Sequence, residues 1–252
     1  MQRSRVRIRH LLLVSLCAAA ALARAQDGGD LQAQILYAFQ SEDINQLTSL
    51  IQTLGTQVQA GGTTGALRYH LAHAEYRLGL LTGEAQAHGA ESAFRECSDQ
   101  LKPLLKEDAA SVEALALQSA CYAHLAAFEK FGAVLDRSRA ADRLAAAARL
   151  APRNPRVVYL QAMDILARAK AGSADGQRGF AELQLAAHLF EASSATSLDV
   201  PGWGHAEAYL ELGRQLEARG DVLGARNWLE KALITAPDYK AAQRQLATLV
   251  RH

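Results

Sequence analysis

The stretch AEAYLELGRQLEARGDVLGARNWLEKALITAPDY, residues 206–239, constrains this chain more than any other segment. Apolar residues recur at helical spacing on both sides of Gly220, and Pro237 ends the second run, so the stretch reads as two amphipathic helices folded back on each other. Gly213 and Ala225 are small where two antiparallel backbones would approach, and Tyr209, Leu212, Leu216, Leu229 and Ala232 fill the space around that contact. A hairpin of this kind cannot bury its apolar faces alone, and stacking further copies completes its core.

Upstream segments carry the same string in worn form. Residues 71–79 read LAHAEYRLG and residues 117–125 read LQSACYAHL, each with leucine, alanine and tyrosine in register. A third, RVVYLQAMDILARA from Arg156, follows LAAAARLAPRNP, whose Ala147 and Pro152 occupy closing positions. The pattern Tyr209, Leu212, Gly213, Leu216, Gly220, Ala225, Leu229, Ala232, Pro237 closely resembles a tetratricopeptide repeat (TPR). The resemblance implies an all-α, TPR-like helical-hairpin array (an α-solenoid) of about four irregular repeats, with units starting near 65, 111, 155 and 206 and the repeats spanning 65–238. DLQAQILYAF and EDINQLTSLIQTL predict an N-terminal helical pair within residues 26–60. The turn-former-rich GTQVQAGGTTG predicts a flexible separator, and residues 239–252 predict a C-terminal capping helix. The abundance of alanine and leucine suits an all-helical chain.

The first 25 residues read as a cleavable signal peptide. Arg3, Arg5, Arg7 and Arg9 precede an apolar run from Leu11 to Leu22, and Ala23-Arg24-Ala25 offers a small-x-small cleavage site before Gln26. The run is shorter than a bilayer span, and Leu16 argues against lipidation of Cys17, so the expectation is export to a periplasm, or secretion, with no stable membrane anchor. Taking the five arginines of this segment from the chain's 27 basic residues leaves 22 against 26 acids, a net charge of about −4. That balance offers no basic field for nucleic acid. Two cysteines remain, Cys97 and Cys121, a candidate disulfide in an oxidising compartment or else two buried small apolar groups.

Signatures of catalysis are missing from the sequence: there is no H-E-x-x-H, G-x-S-x-G, P-loop or G-x-G-x-x-G. His70, His73, His88 and Cys97 include zinc-ligand types, but their spacing matches no metal motif, so neither metal nor cofactor is expected. More informative is a polar-aromatic stripe on the first helix of each unit. Tyr69, His73 and Tyr76 lie at i, i+4 and i+7 and share one helix face, with Arg77 beside them. Leu115, Ser119 and Tyr122 repeat those offsets, as do Tyr159, Met163 and Leu166, and then Leu210, Arg214 and Glu217. In the family resembled, these positions line a concave groove, which implies a protein or peptide partner held against tyrosines. Tyr69, His73, Leu115 and Ser119 stand where chaperone-binding members carry a carboxylate clamp, so an apolar or aromatic partner segment is expected instead. A non-enzymatic adaptor or assembly factor is the leading expectation. Irregular arrays of this kind are also similar to helical accessory subunits of some uptake transporters, which gives a solute-binding alternative. Trp203, between two glycines, is expected either to cover the end of the preceding helix or to stand exposed as an interface anchor.

Overall fold

The computed structural model describes residues 30–61, 65–84, 89–128, 132–170, 172–193 and 201–249. The expected signal segment, His88 and the loop at 194–200 lie outside the described residues. Eleven helices and no strand occur among the described residues. They are α1 (30–40), α2 (Ile44–Gln59), α3 (Gly65–Glu84), α4 (Ala90–Glu107), α5 (Val112–Leu125), α6 (Ala133–Leu150), α7 (Pro155–Arg168), α8 (Ala174–Ser193), α9 (His205–Ala218), α10 (Val222–Thr235) and α11 (Lys240–Leu249). Consecutive helices from α3 to α10 pack as hairpins, and each hairpin packs on the next. None of the described helices is long and apolar enough to cross a membrane.

Local chemistry sets the helix ends. Asp43 accepts the Gln46 N–H at 2.9 Å, Asn154 accepts those of Arg156 and Val157, and Asp221 accepts that of Gly224, so α2, α7 and α10 are each capped by a side chain. Pro155 at the first position of α7 lacks a donor where none is needed. Gly220 closes α9 in the left-handed region (φ +79°), and Asp221 N–H bonds back to Leu216 O at 2.9 Å, which turns the chain within two residues.

Small residues permit the close helix contacts. A Cβ on Gly213 would stand 2.7 Å from Leu229 Cγ, and one on Gly79 would stand 2.7 Å from the Phe94 ring. The two hairpins α9/α10 and α3/α4 thus share one device: glycine on the first helix admits a large apolar side chain of the second. GTQVQAGGTTG departs from its expected flexibility over its first half. GTQVQ is the last turn and a half of α2, because Leu54 and Val58 bury against the core and hold the helix through Gly55.

The array curls until its ends meet. One apolar cluster joins Ile35, Leu47, Leu54 and Leu71 from the N-terminal helices to Tyr209, Leu229, Tyr239 and Leu249 from the C-terminal ones. Phe39 packs on Tyr239 with ring centroids 6.0 Å apart, and Glu42 pairs with Arg244 at 2.6 Å. A second cluster, around Phe94, Leu101, Leu115 and Leu144, fills the middle of the array, where a disulfide joins Cys97 of α4 to Cys121 of α5 (Cα–Cα 6.2 Å).

Candidate functional site

The face shared by the first helices of the units, α3, α5, α7 and α9, is where the sequence places its stripe. On α3 the spacing brings Tyr69, His73 and Tyr76 to one side, together with Arg77. They converge on the segment Pro201–Gly204, which enters the interior ahead of α9. Trp203 is 1% exposed, and its indole N–H donates to the Tyr69 hydroxyl at 2.8 Å. His73, Tyr76 and Arg156 flank its ring, with His73 and Tyr76 at 6.1 and 6.4 Å between centroids and the Arg156 guanidinium carbon at 5.9 Å.

Two ion pairs, each a buried arginine meeting a partly exposed carboxylate, frame this aromatic cluster. Arg156 at the start of α7 makes a two-pronged contact with Glu113 of α5 (2.6 and 2.8 Å) and donates to the Pro201 carbonyl at 2.6 Å. Asn154 donates to the same carboxylate at 2.7 Å. Arg77 pairs with Glu207 of α9, stands 4.2 Å over the Phe39 ring, and donates from Nε to His73 Nε2 at 3.0 Å. Glu207 accepts the Gly204 N–H at 3.0 Å. Arg77 and Arg156 are each almost wholly enclosed, so the carboxylates that meet them are what make their burial tolerable.

Burial sets the protonation of the neighbours. It holds the His73 imidazole well below its ordinary pKa, reinforced by the Arg77 charge, so His73 is neutral and accepts the Arg77 hydrogen bond. The phenol of Tyr76 is pushed up to about 12 by burial, and those of Tyr69 and Tyr159 are raised by the same cause. All three therefore carry their hydroxyl protons at neutral pH.

The other stripe residues part company with this cluster. Tyr159 packs against both apolar clusters and joins the α3 residues in the interior. On α5 the same offsets point elsewhere: Ser119 donates to Ala140 O of α6 at 2.9 Å, and Tyr122 lies under Arg139 of α6 at 5.6 Å. Leu115 is buried too. The α5 stripe thus packs on its own hairpin partner, because α5 is apolar nearly all round and has no distinct polar face. Met163 is half-buried, and Arg214 is exposed beside Glu211 at 3.8 Å. An open, tyrosine-lined groove is therefore not what this structure presents: Tyr76 and Tyr122 are buried, and the face that would hold a partner is filled by the chain itself. Cys97 is taken up in the disulfide and His73 in the Arg77 bond, and among the described residues no three histidine, cysteine or carboxylate side chains gather as a metal site.

Sequence reasoning misses Glu113, Arg156 and Glu207, the charges that fix the cluster. Their partners lie 43 and 130 residues away, beyond any local spacing rule. The available signal was the flanking of Trp203 by Gly202 and Gly204 in a loop rich in turn formers.

No protein-family model matches the chain, and no curated protein matches it. Among solved structures, it is similar to a thermophilic TPR protein from Thermus thermophilus, with a TM-score of 0.61 and 16% identity, covering 90% of this chain and 100% of the other. That likeness and the hairpin packing define the class: an all-α, TPR-like helical array.

Proposed function

We propose that this chain is a non-enzymatic protein–protein interaction module, an exported adaptor or assembly factor whose partner-contacting surface is organised around the filled interior face of α3, α7 and α9. The carrying observation is the chemistry of that face. The interior of the α9/α10 hairpin is aliphatic, at Leu212, Ala225 and Leu229, whereas this face encloses two arginines paired with carboxylates, a histidine, a tryptophan N–H and tyrosine hydroxyls. Buried pairs of this kind contribute little net stability compared with well-packed apolar groups, so their concentration on one face favours recognition over scaffolding. The TPR-like architecture, a fold suited to presenting such a face, supports the same reading.

The arginine-rich, apolar start of the sequence supports export to the periplasm, and the Cys97–Cys121 disulfide suits an oxidising compartment. The test is crosslinking in intact cells followed by affinity capture, with Arg156→Met as the control. A specific protein captured by the parent chain and lost in the variant is expected. Equal capture by both, with equal helicity, contradicts the assignment of the face.

A further inference from the structure

We infer that Tyr239 and α11 act as a strap that fastens the last hairpin to the first two helices, so that the two ends of the array open and close together. The inference concerns conformation and stands independently of the partner proposed above.

In an open row of repeats each unit touches only its neighbours, so a loss at one end reaches the other only by passing through every unit between. Here α11 packs on α10 and α9 in that ordinary way, and it also reaches the opposite end of the chain. Tyr239, just ahead of α11, is buried with its ring 6.0 Å from that of Phe39 on α1. Ala242 and Leu249 of α11 belong to the same apolar cluster as Ile35 of α1 and Leu47 and Leu54 of α2. Lys240 borders an open dish over the α1–α2 turn, together with Tyr37, Ser41 and Ile44. Phe39 carries a second connection across the seam, because the Arg77 guanidinium that stands 4.2 Å over its ring pairs with Glu207 of α9.

The receiving turn is shaped for this contact. Glu42, between α1 and α2, sits at φ +56°, and it is the only non-glycine residue in the left-handed region among the described residues. Glycine adopts that backbone more readily, and a side chain kept there is held by its surroundings. On one side Asp43 N–H bonds back to Ala38 O at 2.8 Å and fixes the turn. On the other, both carboxylate oxygens of Glu42 meet the Arg244 guanidinium, at 2.6 and 2.8 Å, across 202 residues of sequence. The exposed ion pair sets where the strap lands, and the buried Tyr239 and Leu249 hold it there.

The test is native-state hydrogen exchange on the full chain, read helix by helix, for the parent and for Tyr239→Ala. Lost protection in α9 to α11 is expected with or without a strap, so the deciding helices are α2, at the far end, and α5 and α6, in the middle. A strap predicts that amides of α2 lose protection at least about tenfold, and lose more than those of α5 and α6. The coupling is reciprocal, so Phe39→Ala should lower protection in α10 more than in α5 and α6. Unchanged protection in α2, or a loss that fades steadily along the chain so that α6 suffers more than α2, overturns the inference. Should Tyr239→Ala fail to fold, Tyr239→Leu keeps most of the apolar volume and is read against the same two outcomes.

Discussion

At the scale of single residues, polarity in the interior has to be matched atom by atom. Glu75 on α3 shows what happens where the match is poor: burial, with the Glu96 charge adding to it, raises its pKa from 4.5 to about 7. A carboxyl whose folded pKa exceeds its ordinary value stabilises the folded chain below about pH 4.5 and loses that contribution as pH rises towards 7. Glu75→Gln should therefore raise stability at pH 8 by about 1–2 kcal/mol and leave it little changed at pH 4, read from chemical denaturation. His73 works in the opposite sense. Its depressed pKa means stability falls as pH drops below the ordinary histidine range, so the two groups oppose each other across the same window. Glycines give a second residue-scale test. Gly213→Val must push Leu229 aside and should cost about 2–3 kcal/mol, whereas Gly55→Ala meets nothing within 4 Å and should gain about 0.5–1 kcal/mol.

At the scale of elements, the hairpin was legible because its signals are local. Gly213, Ala225 and Leu229 sit within one 34-residue window, and Gly220 with Asp221 supplies both a stop and a start. The stripe on α3 was legible for the same reason, since i, i+4 and i+7 fix one helix face whatever lies opposite. The offsets failed on α5, where apolar residues surround the helix and hydropathy carries no phase. What lies opposite a face is a non-local fact: nothing near Tyr69 in sequence announces Trp203, 134 residues on. The bridge between α4 and α5 closes a separation of 24 residues, and Cys97→Ala with Cys121→Ala should lower stability by about 2–4 kcal/mol, read as a shift in the denaturation midpoint.

At the scale of the whole molecule, the ends of the array are held together by contacts far apart in the chain. Arg77–Glu207 lies deep, while Glu42–Arg244 is partly solvated. Arg77→Met leaves Glu207 buried without its partner and should cost about 3–5 kcal/mol. Adding Glu207→Met should recover most of that loss, because no uncompensated charge remains. Arg244→Met, at the wet end, should cost under about 1 kcal/mol. A closed array of this kind turns the Trp203 cluster inward, away from solvent. Acrylamide quenching of Trp203 in a Trp228→Phe background tests this arrangement most directly. Strong protection in the folded chain, lost in one step with the helix signal on denaturation, is the predicted result. Quenching of the folded chain as efficient as that of free indole would contradict it.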